Sequence, residues 1–189
     1  NITRFRIPGI TSGGTNGHVL TYNSSNGLIE LAAGSGGGGA SDINGLSDAK
    51  YTNGRVLALG NGAAGSHTGA SGGLYMTAVG QLALANSDSN SNTGIGYKAG
   101  NGVTTGTGNT YVGANCGGGA TSTGLLNTAV GANALLDITS GENNTAMGMN
   151  AGANITAGEN NTAVGYLALG NNSMTTASMN TGVGGGAGN

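Results

Sequence analysis

Short apolar segments recur along the chain at nearly constant spacing. One pattern, Asn-Thr-x-(Val/Ile/Met)-Gly or Asn-Thr-Gly-(Ile/Val)-Gly, begins at Asn92, Asn109, Asn127, Asn144, Asn161 and Asn180. A degenerate copy begins at Met76, and successive copies start 16, 17, 18, 17, 17 and 19 residues apart. Thr, Val, Ile and Tyr favour a strand in each copy, and the glycine ends it. A fixed short period predicts a stack of similar coils rather than a globular domain.

The segments between the strands complete each coil. A second short piece such as 166–169 follows the glycine, and a polar loop such as 139–143 then leads to the next copy. Two short strands and two turns fit one rung of a solenoid. We therefore expect an all-β fold with β-solenoid repeats over residues 76–189.

The six asparagines that open the copies are expected to form one column. At a rung spacing of ~4.8 Å, their side-chain amides can hydrogen-bond from coil to coil as a structural ladder. The alternative is that they are exposed and contact a glycan.

The recurring apolar residue of each copy is expected to join this structural ladder as a buried, stacked column: Val112, Val130, Met147 and Val164. Successive residues of a strand point to opposite faces. We therefore expect Ala or Gly on the other face, where small side chains would let neighbouring chains approach closely. Because one coil offers little apolar surface to offset the ordering entropy of its residues, we expect a homotrimer.

The first part of the chain differs from the repeats. Residues 1–33 are interpreted as an N-terminal attachment and β-hairpin module, in which two apolar runs flank a turn that ends in Asn26-Gly27. Residues 34–40 are interpreted as a glycine-rich linker, and residues 41–75 as a transitional segment in which Val56-Leu57-Ala58-Leu59 is a candidate strand.

Four adjacent residues are the candidate attachment site to another protein: Arg4, Phe5, Arg6 and Ile7. Arg and Phe are enriched at protein interfaces, and the repeats contain few of either. The alternative is that this segment is simply the first strand of the module that follows.

Composition narrows the function classes. Glycine supplies 42 of 189 residues, charged residues make up 6%, and the formal net charge is −2. There is no basic stripe for nucleic acid and no apolar stretch near the ~20 residues that span a bilayer. We expect no nucleic-acid partner and no membrane insertion.

Few residues offer chemistry. Cys116 aligns with alanines of other copies, which predicts a buried packing residue rather than a reactive thiol. Glu142 and Glu159 share one repeat position, where they would be solvated or would hold a cation between coils. His18 and His67 lack neighbours at metal-ligand spacing. We therefore expect no catalytic residue, no cofactor and no metal site.

The repeat Asn-Thr-Ala-Val-Gly-x-x-Ala resembles the head repeats of trimeric autotransporter adhesins and repeats of phage tail fibres that carry an endosialidase-type chaperone. The segment from Gly17 to Tyr22 with its hairpin resembles a module common in phage fibre proteins. The resemblance covers roughly residues 76–189 and implies a left-handed β-solenoid (β-roll) in each of three parallel chains, wound into one trimeric rod.

The expected function is therefore that of a structural protein of the virion, a phage tail or head fibre that attaches to the host surface. Its expected partners are two further copies, other virion proteins at the N-terminal end, and a host surface glycan or protein. The rival interpretation is the head of a bacterial surface adhesin, and the third is an enzyme on surface polysaccharide, for which no paired carboxylates are visible within one rung.

Overall fold

The computed structural model describes residues 18–23, 28–33, 49–52, 56–66, 75–171 and 174–188. Throughout these ranges the regular structure is β-strand, without an α-helix. The chain divides into two compact units, residues 1–47 and residues 48–189. The all-β prediction is confirmed for the described part of the chain.

The described residues of the first unit form the strands β1 (His18–Asn23) and β2 (Leu28–Ala33). They pair antiparallel, from His18 opposite Ala33 to Asn23 opposite Leu28. The two apolar runs predicted from the sequence are therefore paired strands. The candidate linker at 34–40 lies outside the described residues.

Among the described residues, the second unit contains one sheet of nine strands in chain order. Their bounds are β3 (Ala49–Thr52), β4 (Val56–Leu59), β5 (Met76–Val79), β6 (Thr93–Ile95), β7 (Thr110–Val112), β8 (Thr128–Val130), β9 (Thr145–Met147), β10 (Thr162–Val164) and β11 (Thr181–Val183). β3 pairs antiparallel with β4, and every later pair is parallel.

The parallel strands occupy equivalent positions in successive coils. Each strand pairs with the equivalent strand of the next coil, so the chain from β4 to β11 forms a solenoid of about seven turns. Thr110 lies opposite Thr128, which lies opposite Thr145, as the repeat alignment predicts. The stack includes β4, in the segment that the sequence indicated only as a candidate strand.

The glycine after each strand is required by the backbone. Gly131 has φ +137°, in the region that favours glycine, and a Cβ there would lie 2.5 Å from the carbonyl oxygen of Gly148 in the next coil. The equivalent glycines of the neighbouring coils stand in the same relation. This column therefore allows the turns to stack at the same close spacing as the strands.

The interior of the coil is narrow and filled mainly by small residues. In the coil that begins at β8, Ala129, Ala134, Leu135 and Ile138 are fully buried. Leu135 covers the next coil as well, since a Cβ on Gly152 would lie 2.8 Å from its Cδ2 atom. Large side chains of one coil thus occupy space left by glycine in the next.

Candidate interaction surface

Each three-residue strand presents its middle residue to the coil interior. The middle residues Tyr111, Ala129, Ala146 and Ala163 are no more than 1% exposed. The flanking threonine and the apolar residue point to the other face, because side chains alternate along a strand. The strand face that meets solvent therefore carries Thr and Val, Ile or Met side by side.

This orientation corrects the prediction for Val112, Val130, Met147 and Val164. They do stack in register, Val112 beside Val130 and Val130 beside Met147. They do not fill the coil: Val130 is 36% exposed, Met147 is 50% exposed, and the other two are half-buried. The interior has no room for them, because Ala from the strand, Ala from the turn and Leu or Ile from the closing segment already occupy it.

A second apolar column runs beside the first. The residue directly after each strand-ending glycine is also exposed in several coils, as with Tyr97 (46%), Met149 (50%) and Tyr166 (53%). We call the two columns together the outer ribbon: Ile95, Val112, Val130, Met147, Val164 and Val183, with Tyr97, Met149 and Tyr166. The second column was not predicted, although Tyr or Met recurs one residue after the glycine.

A contiguous apolar surface of this length is unusual on a monomeric protein. Such surfaces mark sites of association with proteins or membranes. The residues of the ribbon are uncharged and threonines lie beside them, which resembles the composition of the core of a protein interface. At one end of the ribbon, Nζ of Lys98 lies 5.4 Å from the ring centroid of Tyr97. It is the strongest candidate interaction surface of the described structure.

The asparagine column forms a continuous hydrogen-bonded ladder. The backbone N–H and the side-chain Nδ2 of Asn127 both donate to Oδ1 of Asn109, at 2.9 and 3.3 Å. The same pair of bonds joins Asn144 to Asn127, Asn161 to Asn144 and Asn180 to Asn161. Asn109 in turn donates to Asn92.

Each amide of the ladder has a second partner in the closing loop. Nδ2 of Asn127 donates to the carbonyl oxygen of Gly141 at 2.8 Å, and Nδ2 of Asn144 donates to that of Gly158 at 2.8 Å. Five ladder asparagines, from Asn92 to Asn161, are 1% exposed or less. Buried amides with both donors and the acceptor satisfied cannot reach a glycan, so for these five the structure contradicts the glycan-contact alternative.

Cys116 is a buried packing residue, as its alignment with alanine predicts. It is fully buried, and its Sγ donates to the carbonyl oxygen of Ala129 at 3.2 Å. Burial raises the pKa of this thiol to about 12. The same coil buries the ring of Tyr111, whose hydroxyl has no hydrogen-bond partner among the described residues, and burial raises the pKa of that hydroxyl.

The other residues considered for metal binding, Glu142, Glu159, His18 and His67, do not form a metal site among the described residues. The backbone N–H of Asn160 donates to the carbonyl oxygen of Glu142 at 3.0 Å, so the loops that carry Glu142 and Glu159 stack in neighbouring coils. Across the described part of the chain, no group of three or more His, Cys, Asp or Glu residues could hold a metal ion. His67 lies outside the described residues, and His18 is described only as part of β1.

The candidate attachment residues Arg4, Phe5, Arg6 and Ile7 also lie outside the described residues. In the part that the structure does describe, there is no helix of the length and apolar character needed to cross a membrane.

Comparisons of the chain with protein-family models, with curated proteins and with solved structures gave no match. The candidate function therefore depends on the geometry of the chain itself and on the resemblance of its repeat.

Proposed function

We propose that this chain is a structural fibre protein of a virion, a phage tail or head fibre, in which three copies form one rod that attaches to the host surface. The observation that carries the proposal is the outer ribbon. It extends along the coils from Ile95 to Val183 and leaves apolar side chains such as Met147 half exposed in a single chain.

Further copies of the same chain are suitable binding partners for the ribbon. A partner with the same rung spacing matches a column of Val, Ile and Met over many coils, whereas a globular partner would meet only a few of them. In a parallel assembly of three chains, each ribbon would lie near the common axis. Burial of apolar area at ~25 cal/mol per Å² would then supplement the small core of each coil.

This arrangement replaces the one expected from the sequence. The small Ala and Gly residues face the coil interior, so they are not the surface through which copies approach. The apolar column that was expected inside takes that role in the proposal. A left-handed winding of each coil remains part of the proposal and follows from the resemblance of the repeat.

The rival function is the head of a bacterial surface adhesin, which would use the same trimeric rod. The two differ in where the protein is found. An antibody against the chain should label purified virions if the chain is a virion fibre, and it should label washed bacterial cells that release no virions if the chain is an adhesin. Labelling of such cells alone would overturn the virion proposal.

The candidate attachment segment is tested separately. Deletion of residues 1–10 should leave the repeats folded and associated but remove the protein from the particle. Incorporation of the truncated chain at the normal level would show that Arg4, Phe5, Arg6 and Ile7 do not form the anchor.

A further inference from the structure

One coil departs from the repeat in its turns. Between β7 and β8, residues 117–119 are all glycine, and the aligned positions of the next coil are Leu135, Leu136 and Asp137. The alignment follows from the backbone, because the N–H groups of Gly117 and Gly119 donate to the carbonyl oxygens of Ala134 and Leu136. The side chain of Leu135, which is fully buried, and those of the half-buried Leu136 and Asp137 therefore have no counterpart in this coil.

The same coil contains one additional residue. Its ladder asparagine, Asn109, is followed by the next after 18 residues, against 17 for the coil before it and for the two coils after it, and 19 for the coil from Asn161 to Asn180. Val103 of the preceding coil pairs in parallel with Ser122, which is fully buried, whereas Ala120 is half-buried and Thr121 is exposed. The chain thus bulges outward at Ala120 and Thr121 and returns to the interior at Ser122.

Tyr111 compensates for the side chains that are absent from this coil. It is the one middle strand residue of β6 to β11 that is neither Ala nor Gly, and it is fully buried. Its ring occupies the space that a Cβ on Gly117 or Gly100 would need. The glycines in the turn and the large side chain in the core therefore belong together, because the ring of Tyr111 fits only where Gly117 and Gly100 leave space. Departures from local regularity that are compensated elsewhere are typical of functional sites.

The irregular turns produce an open cleft of about 410 Å³. Its side-chain lining consists of Ser66, Asn86, Asn101, Thr104 and Thr121, together with Gly102, Gly118, Gly119 and Ala120. This volume lies within the range of about 300 to 1,000 Å³ that is typical of small-ligand sites. The cleft lies in the turns, so association through the outer ribbon uses other residues.

The chemistry of the cleft is polar and uncharged. Nδ2 of Asn86 donates to the carbonyl oxygen of Asn101 at 2.8 Å, and Oγ1 of Thr104 donates to that of Ser122 at 3.1 Å, which fixes part of the lining. The Asn101 amide and the Thr121 hydroxyl add both donors and acceptors. None of the lining side chains is charged.

We propose that this cleft binds a neutral saccharide of the host surface. Sugar hydroxyls donate and accept hydrogen bonds at once, and they match a lining of amides, hydroxyls and backbone groups. An anionic ligand would lack a cationic partner here. The inference rests on the proposed function, because it names the ligand class that a fibre attached to a host surface would contact.

The test uses the whole chain and three neutral disaccharides, lactose, maltose and chitobiose, in a titration followed by NMR. At least one should shift the side-chain amide signals of Asn86 and Asn101 at millimolar concentration, and the ladder amides should not move. 3′-Sialyllactose should bind no more tightly than lactose. No shift with any of the three, or a clear preference for the sialylated sugar, would overturn the inference.

Two cleft variants and one control variant locate the site. Thr121→Tyr places a ring in the cleft and should weaken binding by about tenfold or more. Thr123→Tyr is the matched control, since Thr123 is exposed in the same coil but does not line the cleft, and it should change the affinity by less than about twofold. Asn86→Ala, a milder change, should also weaken binding. Unchanged affinity in both cleft variants would place the sugar elsewhere and overturn the inference.

The result of the sugar-binding experiment is independent of the result of the virion-labelling experiment. A chain that is found on virions but binds none of the sugars refutes only the saccharide cleft. A chain that binds lactose at the cleft but is absent from virions refutes the virion proposal and leaves the cleft in place.

Discussion

Asn144→Ala is expected to destabilise the solenoid strongly because it cuts the asparagine ladder in its middle. The side chain of Asn144 donates to Oδ1 of Asn127 at 3.0 Å and to the carbonyl oxygen of Gly158 at 2.8 Å. Its Oδ1 accepts from the backbone N–H of Asn161 at 3.0 Å and from Nδ2 of Asn161 at 2.9 Å. Alanine removes all four bonds.

The magnitude follows from the groups that lose a partner. A hydrogen bond contributes about 1 kcal/mol net, and a buried group left without a partner costs about 1–3 kcal/mol. The N–H of Asn161, which is 1% exposed, loses its acceptor. The expected loss in the free energy of unfolding is therefore on the order of 4–6 kcal/mol, a large fraction of the ~5–15 kcal/mol typical of a domain.

Urea denaturation followed by circular dichroism measures this loss. The matched control is Asn143→Gly, since Asn143 is exposed at the adjacent position with φ +55°, which glycine adopts without strain. The control should shift the midpoint only slightly. If Asn144→Ala and Asn143→Gly had similar midpoints, the ladder would not stabilise the stack as argued.

Three further predictions concern orientation, turns and pH. Ala146→Asp should unfold the chain, whereas Met147→Asp should leave the circular dichroism spectrum intact and reduce only association; the reverse pattern would contradict the assigned faces. Gly131→Ala should destabilise more than Gly184→Ala, since both have positive φ but a Cβ meets the next coil only at Gly131; equal melting temperatures would refute the close approach. The pKa of the Cys116 thiol is raised by burial to about 12, so the stability it contributes is present below the pKa of the unfolded thiol and is lost as the pH rises toward 12. Cys116→Ala should reduce this alkaline loss, which urea midpoints from pH 8 to 11 would measure, and an unchanged pH profile would contradict the assignment.

The stack and its register could be predicted because one residue, the ladder asparagine, recurs in every copy from Asn92 onward. The role of this residue depends on its amide group rather than on its size. A side-chain amide that recurs in every coil can hydrogen-bond to the equivalent amides of the preceding and following coils. The same regularity predicted that Cys116 takes an alanine position in the interior.

The orientation of the strands could not be predicted from hydrophobicity. The rule that larger apolar residues are buried placed Val130 and Met147 inside, but a coil of about 17 residues encloses little space. Residues from the turns, such as Ala134, Leu135 and Ile138, fill that space before the strand does. The decisive signal was the middle strand residue, which is Ala or Gly in all but one copy from β6 to β11.

The cleft was beyond prediction for a related reason. Gly117, Gly118 and Gly119 look like a flexible segment in the sequence, and one additional residue looks like a tolerated insertion. Only the structure shows that Tyr111 fills the interior left by these changes and that the surface beside Thr121 becomes concave.

Sedimentation equilibrium of the whole chain, together with Met147→Asp, tests whether the outer ribbon joins three copies of this chain. A mass of three chains is expected for the natural sequence, and dissociation toward single folded chains is expected for Met147→Asp. A natural chain that sediments as a stable folded monomer, with its ribbon exposed to water, would show that the ribbon does not join the copies.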